Sequence, residues 1–258
     1  MIPALDLKRR RRARTIVPVL LMTVAALAAG WAHAADEETA QAPAEKAVDK
    51  KEDGRLYLAP LLAPKAPVVD GRLNEEGWSN AVGIERLHLA GSPKLNPSRA
   101  TEVYVTIDDS NLFVAFRCGE PYPERRKRAA RPKDVDAIAG DDAVIVQLEP
   151  TDDTKAAYYE ITVSSNGALA LAQRGSKTKT WNAGGIQAAV RDALGGWVAE
   201  VRVPFKAMGR GMPGAGEVWR ANFVRHIASV EPAEYASWAV LPAPDIHQPE
   251  NFGELRFE

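Results

Sequence analysis

The 258-residue chain is short of cysteine, histidine and aromatic side chains, and each shortage closes off a class of chemistry. A single cysteine, Cys118, excludes an intramolecular disulfide and every multi-cysteine zinc or iron–sulfur pattern. The four histidines, His33, His88, His226 and His247, share no ligand spacing that would suggest zinc. No serine stands in a Gly-x-Ser-x-Gly setting. Strand–helix alternation, which a phosphate loop or dinucleotide fold needs, is missing as well. Net charge is also lacking, at -1 overall. That figure hides an asymmetry, because Lys8, Arg9, Arg10, Arg11, Arg12 and Arg14 against Asp6 make residues 1–34 locally +5. Removing this segment leaves -6, so the body is mildly acidic and nucleic acid is not an expected partner.

The basic run precedes an apolar stretch from Thr15 to Gly30 and then Ala32-His33-Ala34, the three parts of a secretory signal. Residues 1–34 are therefore expected to be a cleaved export signal, which places the body in the periplasm or outside the cell. The alternative is an uncleaved anchor, the chain's one expected link to a membrane. Cleavage is favoured because the stretch is short for a ~30 Å hydrocarbon core and is interrupted by Pro18. The consecutive arginines leave twin-arginine export open.

Residues 35–55 hold hardly a large apolar side chain, so nothing offsets the entropy of ordering them, and they read as a disordered acidic tether. From residue 56 to 258 the apolar runs are short, rich in Val, Ile, Phe and Tyr, and closed by Asp, Asn, Gly or Pro. Hairpins are expected at Thr101–Cys118 around Asp108-Asp109-Ser110-Asn111, at Tyr158–Ala172 around Asn166-Gly167, and at Ala188–Val203 around Gly195-Gly196. Further strands are expected at Ile84–Leu89, Ala143–Leu148, Val218–Arg225, Trp238–Leu241 and Gly253–Phe257. Helix is scarce: one turn capped by Asn74 and another after Pro204. The fold class is all-β, a single jelly-roll-type β-sandwich of mainly antiparallel strands.

Asp108-Asp109, Asp141-Asp142 and Asp152-Asp153 invite comparison with glycosidase carboxylate pairs, but turn and capping duty explains them more simply. Asp141-Asp142 heads a strand and is the one place where a structural calcium ion has candidate ligands. The run Glu124–Lys133, ERRKRAARPK, is suited to an anionic polymer, though a solvated loop is the simpler reading. Trp78, Trp197, Trp219 and Trp238 lie in or beside apolar runs and are expected in the core. Trp181 sits in the polar, Gly-rich SKTKTWNAGG and is a candidate platform for a sugar ring, its alternative being a loop anchor packed on the sandwich.

Several segments, taken in order, resemble the family 9 carbohydrate-binding module superfamily. They are Val69–Trp78 (VDGRLNEEGW), Thr101–Phe116, Asp141–Val144, Gly196–Phe205, Trp219–Arg225, Trp238, and His247–Leu255. The resemblance implies a β-sandwich that binds polysaccharide or oligosaccharide without catalysis, sometimes with calcium. In the family two tryptophans sandwich the sugar, and those places here hold Ala139 and Ile246, while a family glutamate corresponds to Ile145. The implied function is thus a secreted carbohydrate-binding protein with a displaced site, using Trp181 for stacking and Arg225, His247 and Asp142 as polar contacts. Arg225 follows Phe223 at period two, so burial against an aspartate is its alternative. Two other readings stand beside this one. The first is a haem-associated sandwich using Met208 or Met212 with His226, His88 or His247. The second is an interaction protein without a sugar ligand.

Overall fold

The computed structural model describes residues 50–52, 55–130, 137–151, 157–175, 181 and 184–258. The expected export signal and most of the tether lie outside them, as do Arg131, Lys133 and Asp152-Asp153. The described residues form fifteen strands and five short 3-10 turns, with no α-helix among them. In chain order the strands are β1 (Lys50–Glu52), β2 (Arg55–Leu58), β3 (Leu61–Leu62), β4 (Val82–Ile84), β5 (His88–Leu89), β6 (Thr101–Ile107) and β7 (Asn111–Gly119). They continue as β8 (Ala143–Glu149), β9 (Tyr158–Ser164), β10 (Leu169–Arg174), β11 (Gln187–Ala193), β12 (Gly196–Pro204), β13 (Val218–Ile227), β14 (Glu234–Ser237) and β15 (Gly253–Arg256). Strand therefore starts at Lys50, five residues inside the stretch read as tether.

Two sheets face each other. The larger runs β1-β2-β15-β13-β8-β9-β10, with β14 and then β5 continuing from the second half of β13. The smaller runs β11-β12-β7-β6-β3, with β4 also on β6. All pairs are antiparallel except β15–β2 and β3–β6. The three expected hairpins form. Asp108 Oδ1 accepts the Ser110 and Asn111 amides at 2.7 and 2.6 Å, and Gly167 and Gly195 take the positive φ their turns need, +88° and +75°.

Period-two alternation builds the core. Val103, Val105, Leu112, Val114, Phe116, Trp197, Ala199, Val201 and Val203 point in from the small sheet; Val144, Val146, Leu148, Ile161, Val163, Trp219, Ala221 and Phe223 point in from the large one. The four tryptophans expected in the core are all buried. Two expectations fail. Ile84–Leu89 is two short strands that pair in different sheets, because the chain crosses the sandwich between them. Trp238–Leu241 is not a strand; Glu234–Ser237 is, and past Ser237 the Asn222 side chain accepts the Ala239 amide at 2.9 Å where another strand would otherwise bond.

The outer face of the small sheet is closed by the VDGRLNEEGW segment. Leu73, Trp78 and Ala81 pack on Phe113, Ala115 and Val198. Glu200 on β12 accepts the Asp70 and Gly71 amides at 2.8 and 2.7 Å and the Trp78 indole N–H at 3.1 Å. Gly71 has φ +85°, and a Cβ there would lie 2.7 Å from Arg191 Cβ, so the motif's Asp-Gly is demanded by backbone shape and close packing. The 3-10 turn follows Glu75 without a side-chain cap, so Asn74 does not cap it.

Candidate functional site

The structure corrects three of the four residues proposed for ligand contact. Trp181 is only 8% exposed. Its ring packs on Tyr159 at 4.6 Å and its indole N–H donates to the Ala207 carbonyl at 2.9 Å. It packs into the core against an inward-facing tyrosine, and its polar sequence neighbours conceal that destination. Arg225 and Asp142 are fully buried and paired at 3.3 Å, with the guanidinium 4.3 Å above the Trp197 ring. Neither reaches solvent, and the alternative reading of Arg225 is the correct one. Cys118 shares this interior, where burial pushes its thiol up, with Arg225 opposing that.

Asp141 and Asp142 act as a clamp on the basic run. Asp142 accepts the Lys127 amide at 2.8 Å and the Ser229 hydroxyl at 3.1 Å, besides Arg225. Asp141 accepts the Ala129 and Ala130 amides at 2.7 and 2.9 Å and the Ser164 hydroxyl at 2.6 Å. Arg126 is buried and meets Asp192 at 2.5 Å. The run is thus a fastened segment rather than a free loop, though Arg125, Lys127 and Arg128 point to water. A calcium ion needs 6–8 oxygen ligands at about 2.3–2.6 Å, whereas N–H and O–H donors surround these carboxylates, so the pair does not fit the ion. Among the described residues, no group of three or more His, Cys, Asp or Glu is placed to hold a metal.

The positions that the sequence resemblance assigned to the sugar clamp lie on the outer face of the large sheet. Ile145 and Ile246 pack there with Ala90, Val224, Ala239 and Leu241, and Tyr235 leans on the cluster. Ala139 is exposed at the end of a 3-10 turn over the same face.

Beside this apolar patch runs a ladder of polar side chains, one from each of five strands. Arg174 on β10 reaches Glu160 on β9, its Nε and Nη2 3.0 and 2.5 Å from Oε1. Gln147 on β8 donates to Glu160 Oε2 at 3.0 Å and accepts from Asn222 of β13 at 3.1 Å. Asn222 in turn accepts from Ser237 of β14 at 2.9 Å. The register requires this line-up, since Glu160 faces Gln147 and Gln147 faces Asn222. His247 joins at the rim: Nδ1 lies 2.7 Å from the Tyr158 hydroxyl and 3.4 Å from Glu160 Oε2. Burial, then the Glu160 charge, pushes the Tyr158 hydroxyl up, and the same causes in the same order raise Tyr235. The interior end of the ladder is closed, while the side chains of Arg174 and His247 are 47% and 38% exposed. Donors and acceptors thus meet water at one end of a rigid row, as ligand hydroxyls require.

Of the four residues predicted for the site, only His247 is on this face and open. The sequence reading missed Glu160, Gln147, Arg174 and Asn222. A signal was there: Glu160 alternates with Tyr159 and Ile161, and Gln147 with Val146 and Leu148, which puts polar groups on the outward face of strands whose other face is core. For the haem reading, Met208 is buried in the core beside Tyr159, whereas His226 lies on the outer face with Nδ1 2.9 Å from the Asp141 carbonyl. Tyr159 is level with Leu148 and His226 with Ala143, five residues or about 17 Å along the sheet.

No family model matches the sequence, and no curated protein is significantly similar to it. Solved structures are similar in shape. A family 9 carbohydrate-binding module of Caldicellulosiruptor kristjanssonii, solved with cellotriose, superimposes with a TM-score of 0.59 at 14% identity, over 78% of this chain and 93% of that one. The same organism's family 9 module with glucose gives 0.57 at 14% identity, over 78% and 95%. A Bacteroides uniformis protein, described as a candidate carbohydrate-binding protein, gives 0.61 at 17% identity, over 79% and 98%. The described domain therefore has the fold of the family 9 carbohydrate-binding modules.

Proposed function

We propose that this chain is an exported, non-catalytic carbohydrate-binding protein that grips sugar hydroxyls at the open Arg174–Glu160 end of the ladder. The observation that carries the reading is the five-strand polar row. It holds a nearly buried carboxylate and a half-exposed guanidinium in fixed positions beside His247, a geometry suited to adjacent hydroxyl groups. Structures of the same fold with cellotriose and glucose support a sugar of that kind as ligand. Ring stacking is worth roughly 1–3 kcal/mol per face, so without the two clamp aromatics binding is weaker by about 2–6 kcal/mol than at a site that has both. The domain without residues 1–34 should be retained on an insoluble polysaccharide or a glycan array, and Glu160→Gln and Arg174→Ala should each abolish retention. No retention on any glycan overturns the reading in favour of an interaction protein.

A further inference from the structure

A concavity lies on the same sheet, at β2 and β15. It is a cleft of about 230 Å³ with Arg55, Glu250 and Asn251 as its polar lining and Leu56, Val240 and Gly253 among its apolar lining. From β15 to β9 is three strand steps, about 14 Å, so the cleft is separate from the open Glu160–Arg174 end of the row, while its lining residue Ala239 is bonded to the closed end at Asn222 and Ser237. Its walls are set before anything binds. Arg220 reaches up from β13 and donates to the carbonyls of Pro249, Glu250 and Phe252 at 3.1, 2.9 and 3.3 Å. Arg55 Nη1 donates to the Phe252 carbonyl at 3.0 Å, and Asn251 donates to Gln248 at 3.2 Å. Bare backbone lies at Gly253, because Trp238 ring atoms stand 2.7 Å from where a Cβ would be.

We propose that this cleft is a binding site for one neutral polyhydroxylated ring, a single sugar unit. Pockets for drug-sized ligands run about 300–1,000 Å³, so this volume admits one small ring and little more. One cation, one carboxylate and one amide leave the lining without net charge, which gives a lone ion no advantage. A hydroxylated ring uses all three, donating hydroxyl protons to Glu250 and the Asn251 carbonyl oxygen and accepting from Arg55. Its C–H face lies on Val240 and the bare backbone at Gly253. The cleft shares no residue with the Glu160–Arg174 end of the ladder, so either site can fail without the other.

The test is a 15N–1H titration of the domain with glucose and xylose, and with glycine as a zwitterion of similar size. Saturable millimolar shifts are expected at Glu250, Asn251 and Gly253. They should weaken at least fivefold in Glu250→Ala/Asn251→Ala, two changes at surface positions, and vanish in Val240→Trp, which fills the cleft. Glu160→Gln should leave them unchanged. Val240→Trp is read only if it keeps the wild-type amide dispersion, and the double variant decides otherwise. Absence of shifts at these three residues with both sugars overturns the proposal. So does a stronger response to glycine, or loss of the shifts in Glu160→Gln.

Discussion

Two regions use the same polar residue types to opposite ends. At Asp141, Asp142, Arg225 and Glu200, each buried acid meets donors from its own chain and solvent is excluded. Along Glu160 and Arg174 the bonds are as short, but the row stops at the surface, with Arg174 and His247 half open. Enclosure, not residue type, separates the structural polar groups from those proposed for recognition. Changes in the first region should act on stability and changes in the second on binding.

The largest effect should come from Asp142→Ala. It leaves the Arg225 guanidinium buried without its counter-charge and frees the Lys127 amide, so urea unfolding should show a loss of about 3–5 kcal/mol. Next, Trp181→Ala removes a buried ring and should cost about 3 kcal/mol while leaving glycan retention intact. Loss of retention in a still-folded variant would instead place Trp181 in the binding region.

Glu200→Gln should cost about 1–3 kcal/mol above about pH 8, where the ionised carboxylate accepts three donors and an amide N–H would face one of them. It also carries a pH signature. Burial pushes the Glu200 carboxyl up from 4.5 to about 8, and the Gly71 and Asp70 amides pull it back only in part. The folded chain then holds a proton that the unfolded chain releases, so this contribution is complete below about pH 4.5 and is lost as pH rises through about 8. Unfolding free energy measured across that window should fall less steeply with pH in Glu200→Gln than in the wild type. The smallest stability effect, under about 1 kcal/mol, belongs to Arg174→Ala at the open end, and it should be paired with loss of glycan retention.

The hairpins were legible because their turn chemistry is local: Asp108 binds amides two and three residues on, and Asn166-Gly167 and Gly195 supply the positive φ. The core tryptophans were legible from the apolar runs around them. Trp181 was not, since its ring leaves a polar segment to meet Tyr159 and Ala207, 22 and 26 positions away. Ile84–Leu89 reads as one strand because composition carries no sign that the chain crosses from sheet to sheet. Half of the candidate site could be read, as outward-facing positions of β8 and β9. The other half, that Arg174 and Gln147 meet on Glu160, depends on register between strands.

The sequence alone determined most of the strand pattern, the hairpin turns and the inward faces, because side-chain alternation and turn conformations act over a few residues. Which polar groups would be sealed and which would meet water was decided only by the tertiary structure. That outcome depends on how two sheets stack and where the 238–252 segment lies across one of them, and both are set by contacts between residues far apart in the chain.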